Sequence, residues 1–111
     1  MATEEIFEST ARESGDLAGV FEYDGETAYF YLYRADGPAK ILAAIHVLSG
    51  DASFGAKDVV VSWNRQMDKV GLFISGELWA VFEADKAIPH GGNYLRGARP
   101  GLPAEAASWF A

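Results

Sequence analysis

The two histidines are the residues best suited to catalysis in this chain. His46 lies in the apolar run Ile41–Leu48. A neutral, buried, hydrogen-bonded histidine is expected there, and the alternative is a general base oriented by an acid on a neighbouring strand. The 111 residues contain no cysteine and no Gly-x-Ser-x-Gly sequence, which excludes a thiol nucleophile and the nucleophile elbow of serine hydrolases. The sequence therefore assigns no catalytic residue.

The second histidine lies in the segment Pro89-His90-Gly91-Gly92-Asn93, which is a candidate for anion binding. Its glycines allow the backbone to approach a ligand closely. His90, Asn93 and Arg96 would supply the donors, with Arg99 as a further candidate. The segment lacks the Gly-Lys-Ser/Thr ending of a P-loop, so an ordinary surface loop is the alternative.

Metal-ligand spacings are missing from the sequence. There is no His-x-x-x-His pair and no calcium loop of alternating acids, so no metal site and no cofactor is predicted. Two strand acids, Glu22 and Glu83, are available for glycoside hydrolysis, but nothing in the sequence places them opposite each other across a cleft.

The charge is strongly acidic and unevenly distributed. The net charge is −7, and residues 1–36 hold nine acidic and two basic side chains. This disfavours nucleic acid as a partner, and it fits either a solvated acidic surface or steering towards a basic protein. No secretory signal and no apolar run of membrane-spanning length is visible, so we expect a soluble cytoplasmic protein that does not contact membranes.

Three short apolar runs organise the middle of the chain: Val59–Trp63, Val70–Ile74 and Leu78–Phe82. Their β-branched and aromatic residues predict consecutive strands. A loop at Gly76-Glu77 would pair Ser75 with Leu78. Both faces of this hairpin are apolar, so it should be covered on both sides.

An earlier hairpin is indicated by Asp24-Gly25, around which Val20–Tyr23 should pair with Glu26–Tyr29. Alternation then places Phe30 and Leu32 in the core. The opposite face of the second strand carries three tyrosines, which form either a second packed surface or an exposed recognition patch. We name this set the tyrosine stripe: Tyr29, Tyr31 and Tyr33.

The remaining segments complete a mainly β domain spanning residues 1–111. The polar sequence of Glu5–Thr10 favours an edge strand over a helix. The apolar run Ile41–Leu48 predicts a buried strand. Phe54 is a candidate to fold back as a plug on the core. Lys86–Pro103 predicts an ordered loop, and Ala104–Phe110 a short docked helix. The expected fold is an antiparallel meander of six or seven strands in a small barrel or sandwich, with a long C-terminal loop and a short C-terminal helix.

The segment from Val20 to Tyr31, which reads VFEYDGETAYFY, resembles the hairpin of a family of small bacterial proteins known only as a domain of unknown function. Gly71–Glu83 is compatible with the same family. The resemblance implies a bacterial origin and no particular activity.

These features predict a non-enzymatic binding or accessory protein. Its contact with another protein would use an aromatic and acidic sheet surface formed by the tyrosine stripe and Glu22. The alternative is a small-ligand-binding module or minor enzyme that uses the Pro89–Arg99 loop with His46 or His90. A homodimer formed by pairing exposed strand edges is a third hypothesis.

Overall fold

The computed structural model describes residues 5–38, 40–95 and 98–111 and contains two facing antiparallel sheets of four strands each. Within each sheet the strands follow one another in chain order. The first sheet consists of β1 (Ile6–Ala11), β2 (Leu17–Tyr23), β3 (Thr27–Arg34) and β4 (Lys40–Ser49). The second consists of β5 (Val59–Trp63), β6 (Lys69–Ile74), β7 (Glu77–Glu83) and β8 (Ile88–Gly91).

The predicted mainly β antiparallel meander is confirmed, and two of its details are wrong. The described residues form eight strands rather than six or seven, because residues 88–91 of the expected loop add an edge strand to β7. The barrel alternative is also wrong, since β4 and β5 belong to different sheets and the architecture is a sandwich. The predicted edge strand at the N-terminal end is confirmed as β1.

The core lies between the two sheets and is built from alternating strand residues. Phe30 and Leu32 are fully buried, as predicted from the alternation along β3. The Phe30 ring contacts Phe82 of the second sheet, with ring centroids 5.1 Å apart. Phe54 packs on this core as predicted, 6.3 Å from the Phe21 ring.

Hydrogen bonds connect the two sheets along both sides of the sandwich. On one side the Thr10 hydroxyl donates to the Val61 carbonyl at 2.7 Å, and the Trp63 indole donates to the Thr10 carbonyl at 2.9 Å. On the other side the Asn93 backbone N–H donates to the His46 carbonyl at 3.1 Å. These strand edges therefore have partners within the chain, which reduces the edge available for pairing with a second copy.

The chain's own C-terminal segment covers the outer face of the second sheet. Ala106 is buried against Leu78 and Val81, and the Phe110 ring meets Phe73 edge-on at a centroid distance of 5.4 Å. Docking of this segment is confirmed, but Ala106–Phe110 is a 3₁₀ turn rather than an α-helix. Its backbone bonds span three residues, as from the Ala106 N–H to the Pro103 carbonyl.

The turns set registers that differ from the predicted ones. In the β2–β3 hairpin, the Asp24 carboxylate accepts bonds from the Glu26 and Thr27 N–H groups at 2.9 and 2.8 Å. This cap lengthens the loop, so Tyr23 pairs with Ala28 instead of Glu26. In the β6–β7 hairpin, the loop is Ser75-Gly76, one residue earlier than predicted, because both residues adopt positive φ (51° and 83°).

Arg12, which follows β1, connects turns from both sheets. Its guanidinium donates to the Asp16 carboxylate at 2.9 and 2.7 Å and to the Met67 carbonyl and Asp85 carboxylate at 3.1 Å each. It also lies 5.5 Å from the centre of the Trp63 ring. Hydrogen bonds from Arg12, and next from the Ser14 hydroxyl, hold the pKa of Asp16 well below its usual range.

The Asp16→Asn variant should be less stable than the parent at neutral pH and should lose less stability on acidification. A carboxylate whose pKa is lower in the folded state stabilises the fold above its unfolded pKa of about 3.9, and this contribution is lost as pH falls. Hydrogen bonds also lower the pKa of Asp24 and of Asp68, so the variant keeps part of the acid dependence.

Urea midpoints measured from neutral pH to about pH 2 test this expectation. The difference between the two curves should shrink steadily as the pH falls below about 4. The control is Asp36→Asn, which removes the same charge from an exposed turn. Curves that stay parallel for the Asp16→Asn variant would contradict a stabilising contact between Asp16 and Arg12.

Candidate functional site

The outer face of the first sheet brings side chains from all four strands into three rows. The strand registers place each row's members directly opposite one another. We name this surface the aromatic face. Its first row is Phe7, Glu22, Tyr29 and His46; the second is Ser9, Val20, Tyr31 and Ala44; the third is Ala11, Ala18, Tyr33 and Ile41.

Several large apolar side chains on the aromatic face are open to solvent. Phe7 is 64% exposed, Ile41 52% and Tyr29 37%, while Tyr31 and Tyr33 are half-buried. No part of the described chain covers these residues as the C-terminal segment covers the second sheet. Of the two possibilities for the tyrosine stripe, its position matches the surface patch rather than a second packed layer.

Three aromatic rings of the aromatic face contact one another in the order Tyr31, Tyr29 and His46. The rings of Tyr29 and Tyr31 are stacked with centroids 5.9 Å apart, and the His46 ring meets Tyr29 edge-on at 5.4 Å. His46 is exposed, and its Nε2 lies 2.9 Å from the Ser49 hydroxyl. The expectation of a buried His46 is therefore wrong, because His46 lies opposite Tyr29 on this uncovered outer face.

A groove of about 440 Å³ runs along the aromatic face. Its floor contains the small side chains of Ala18 and Val20, and larger residues flank it, including Phe7 and Tyr31. Glu22 lies at the first-row end of this groove. Partial burial, and next the nearby Glu22 charge, raises the pKa of Tyr31.

The residues predicted for an anion site are dispersed. His90 lies on the outer face of the second sheet, with its Nε2 2.7 Å from a Glu83 carboxylate oxygen and its ring 5.6 Å from Trp109. Asn93 is exposed, and Arg99 is exposed in the segment that leads to the C-terminal turn. The prediction for Arg96 lies outside the described residues. His46 and His90 are thus on opposite outer faces of the sandwich.

Neither a metal centre nor a membrane helix is found in the described ranges. Histidine, aspartate and glutamate side chains do not gather there in groups of three or more that could hold an ion. No helix in this part of the chain has the length and apolar character needed to cross a membrane.

Comparison with protein families gives one match. Residues 1–109 match the family described as "Uncharacterized protein conserved in bacteria (DUF2251)". The chain belongs to the DUF2251 family. This confirms the resemblance seen in the Val20–Tyr31 hairpin. The searches of curated proteins and of solved structures found no match to the DUF2251 chain.

Sequence reasoning placed the tyrosine stripe and Glu22 on one surface, and the large exposed members that it missed in this DUF2251 chain are Phe7, Ile41 and His46. A signal for Phe7 is present in the alternation of β1, where Ile6 faces the core and Phe7 faces outwards. For Ile41 and His46 no such signal exists, because the continuous apolar run of β4 hides its two faces.

Proposed function

We propose that this DUF2251 protein is a non-enzymatic binding protein that contacts another protein through the aromatic face. The observation that carries the proposal is the difference between the two outer faces. One is covered by the C-terminal segment, whereas the other leaves Phe7, Tyr29 and Ile41 open to water. Contiguous apolar patches on a soluble protein mark interaction sites.

The composition of the aromatic face supports the same proposal. Its centre consists of tyrosines and small apolar residues, and Glu22 is its only carboxylate. Tyrosine combines a large apolar ring with a polar hydroxyl and is enriched in binding hot spots. Charged residues lie beyond the rows, with Asp24 and Glu26 at one end and Arg34 at the other. An apolar centre with a charged rim is the usual anatomy of a protein interface.

The alternative, a small-ligand module or minor enzyme that uses the Pro89–Arg99 loop, has one favourable observation. Glu83 is placed to orient His90, as an acid orients a general base. His90 is also packed beside Trp109, whereas His46 is on the other outer face. This alternative therefore has less support than the proposal of protein binding, because the two histidines cannot act together in one site.

The binding proposal predicts that Ile41→Ser weakens partner capture while Val60→Ser does not. Both side chains are 52% exposed, but Val60 lies on β5, outside the aromatic face. The measurement is quantitative crosslinking and mass spectrometry in the source bacterium, with each variant shown to be folded by circular dichroism. A specific partner should be recovered equally with the parent and Val60→Ser, and about tenfold less with Ile41→Ser.

Two results would speak against the proposed function. One is equal recovery of every captured protein with Ile41→Ser and with the parent. The other is an equal loss with both variants, which would mean that exposed apolar area in general, rather than this face, governs capture.

A homodimer formed through strand edges remains a prediction. Sedimentation velocity at low micromolar concentration tests it. A monomer under those conditions would contradict an obligate dimer.

A further inference from the structure

Glu22 is the one carboxylate within the rows of the aromatic face, and Glu5 and Asp24 add negative charge at its border. Its cross-strand neighbours on either side are Phe7 and Tyr29. Among the residues described, Glu22 takes part in none of the ion pairs, which involve Asp16, Asp68, Glu83 and Asp85 instead. A carboxylate flanked by two aromatic side chains and without a cation of its own is complementary to a cation brought by a partner.

The flanking rings favour arginine over lysine as that cation. A guanidinium is planar, forms two parallel hydrogen bonds with a carboxylate and stacks on aromatic rings. Phe7 and the stacked pair Tyr29–Tyr31 offer such rings on both sides of Glu22. A lysine ammonium would make a point contact with the carboxylate and would use less of the aromatic surface.

The groove indicates which residues of the partner come after the arginine. Successive rows of the aromatic face lie two residues apart along β1, β2 and β3, or about 7 Å. An extended segment also presents every second side chain to the same side at this spacing. With an arginine at Glu22, the next two same-side residues of the segment would lie over Val20 and Ala18. Ser9 and Tyr31 flank the first of these positions, and Ala11 and Tyr33 flank the second. Because Val20 and Ala18 are apolar, aliphatic side chains match that floor.

We propose that the aromatic face binds an extended protein segment in which an arginine pairs with Glu22 and the two following same-side residues are aliphatic. This inference rests on the proposed function and specifies its partner. The chain's net charge of −7 favours encounter with a basic segment.

The test is an NMR titration of the ¹⁵N-labelled full chain with acetyl-Arg-Ser-Val-Ser-Leu-amide. Amide shifts should change in β1–β3 and leave β5–β8 unchanged. Replacing the peptide's arginine by glutamine should weaken binding about tenfold, because the charge-assisted bonds to the carboxylate are lost. Replacement by lysine should give an intermediate affinity. The Glu22→Gln variant should bind the arginine and glutamine peptides about equally, whereas Glu77→Gln, an exposed acid of the second sheet, should behave like the parent.

Three results would overturn the inference: equal affinity of the parent for the arginine and glutamine peptides, shifts confined to the second sheet, or no shift with any peptide. Each is distinguishable from failure of the proposed function. If Ile41→Ser still loses a cellular partner that Glu22→Gln retains, the aromatic face binds protein without an arginine contact at Glu22.

Discussion

Replacing Phe30 by alanine is expected to lower the free energy of unfolding by about 3–5 kcal/mol. Phe30 is fully buried in β3 and contacts Phe82 across the two sheets at a centroid distance of 5.1 Å. Truncation removes the transfer free energy of the ring and leaves a cavity between sheets that the hydrogen bonds along both sides prevent from collapsing. Urea unfolding followed by tryptophan fluorescence measures the loss.

The matched control for Phe30→Ala is Phe7→Ala. Both remove a phenyl ring from the first sheet, but Phe7 is 64% exposed on the aromatic face. A surface substitution of this kind changes stability by only about 0.5 kcal/mol or less. A small effect of Phe30→Ala, or a large effect of Phe7→Ala, would contradict the assignment of inner and outer faces.

The contrast between these two phenylalanines shows how far alternation in the sequence can predict the fold. Along β3 the alternation of Phe30 and Leu32 with tyrosines determines which residues share a face, and the core residues were predicted from it. Alternation does not state whether the opposite face is covered. That depends on where the C-terminal segment docks, and it docks on the second sheet, which leaves the tyrosine stripe on an uncovered face.

Turn geometry explains the wrong hairpin registers, and the uncovered outer face together with irregularities in β4 explains the wrong position of His46. β4 reads as one continuous apolar run, which predicted a strand buried on both sides. Two register shifts against β3, next to Ala28 and next to Leu32, interrupt the alternation of β4 and place Ile41 and His46 on the same outer face. Both are exposed because nothing in the described chain covers that face. A β-bulge arises from tertiary pairing and leaves little trace in a single sequence.

The edge strand β8 contains a proline, which is compatible with the edge of a sheet but not with its centre. Pro89 and two glycines excluded a central strand from this segment, since proline has no N–H to donate to a ladder. The same rule permits an edge strand, and β8 pairs only with β7 within its sheet. The predicted anion site depended on this segment being a loop, whereas β8 holds His90 against Val81 and beside Glu83.

Gly91→Ala should be the most damaging glycine substitution at the end of β8. Gly91 has φ of 82°, where an alanine is strained by about 1–2 kcal/mol. A Cβ there would also overlap the Trp79 carbonyl oxygen and lie 2.7 Å from Leu102 Cδ2. The carbonyl belongs to the backbone of a central strand and cannot rotate away, so overpacking adds roughly 1–3 kcal/mol. We expect a total loss of about 2–5 kcal/mol in urea unfolding.

The loss of stability in Gly91→Ala should be concentrated where the end of β8 contacts the first sheet. The next residue, Gly92, donates its N–H to the same Trp79 carbonyl at 2.9 Å, and Tyr94 donates to the Val47 carbonyl of the first sheet at 2.6 Å. Displacing Gly91 therefore loosens one side of the sandwich, and amide exchange at Gly92 and Tyr94 should accelerate more than in β1–β3. Gly101→Ala is the control, since among the described residues no atom beyond the chain neighbours lies within 4 Å of a Cβ there. Similar exchange rates and stabilities for the two variants would show that the Trp79 carbonyl tolerates a side chain at Gly91, and the connection between the sheets at β8 would then not depend on a glycine.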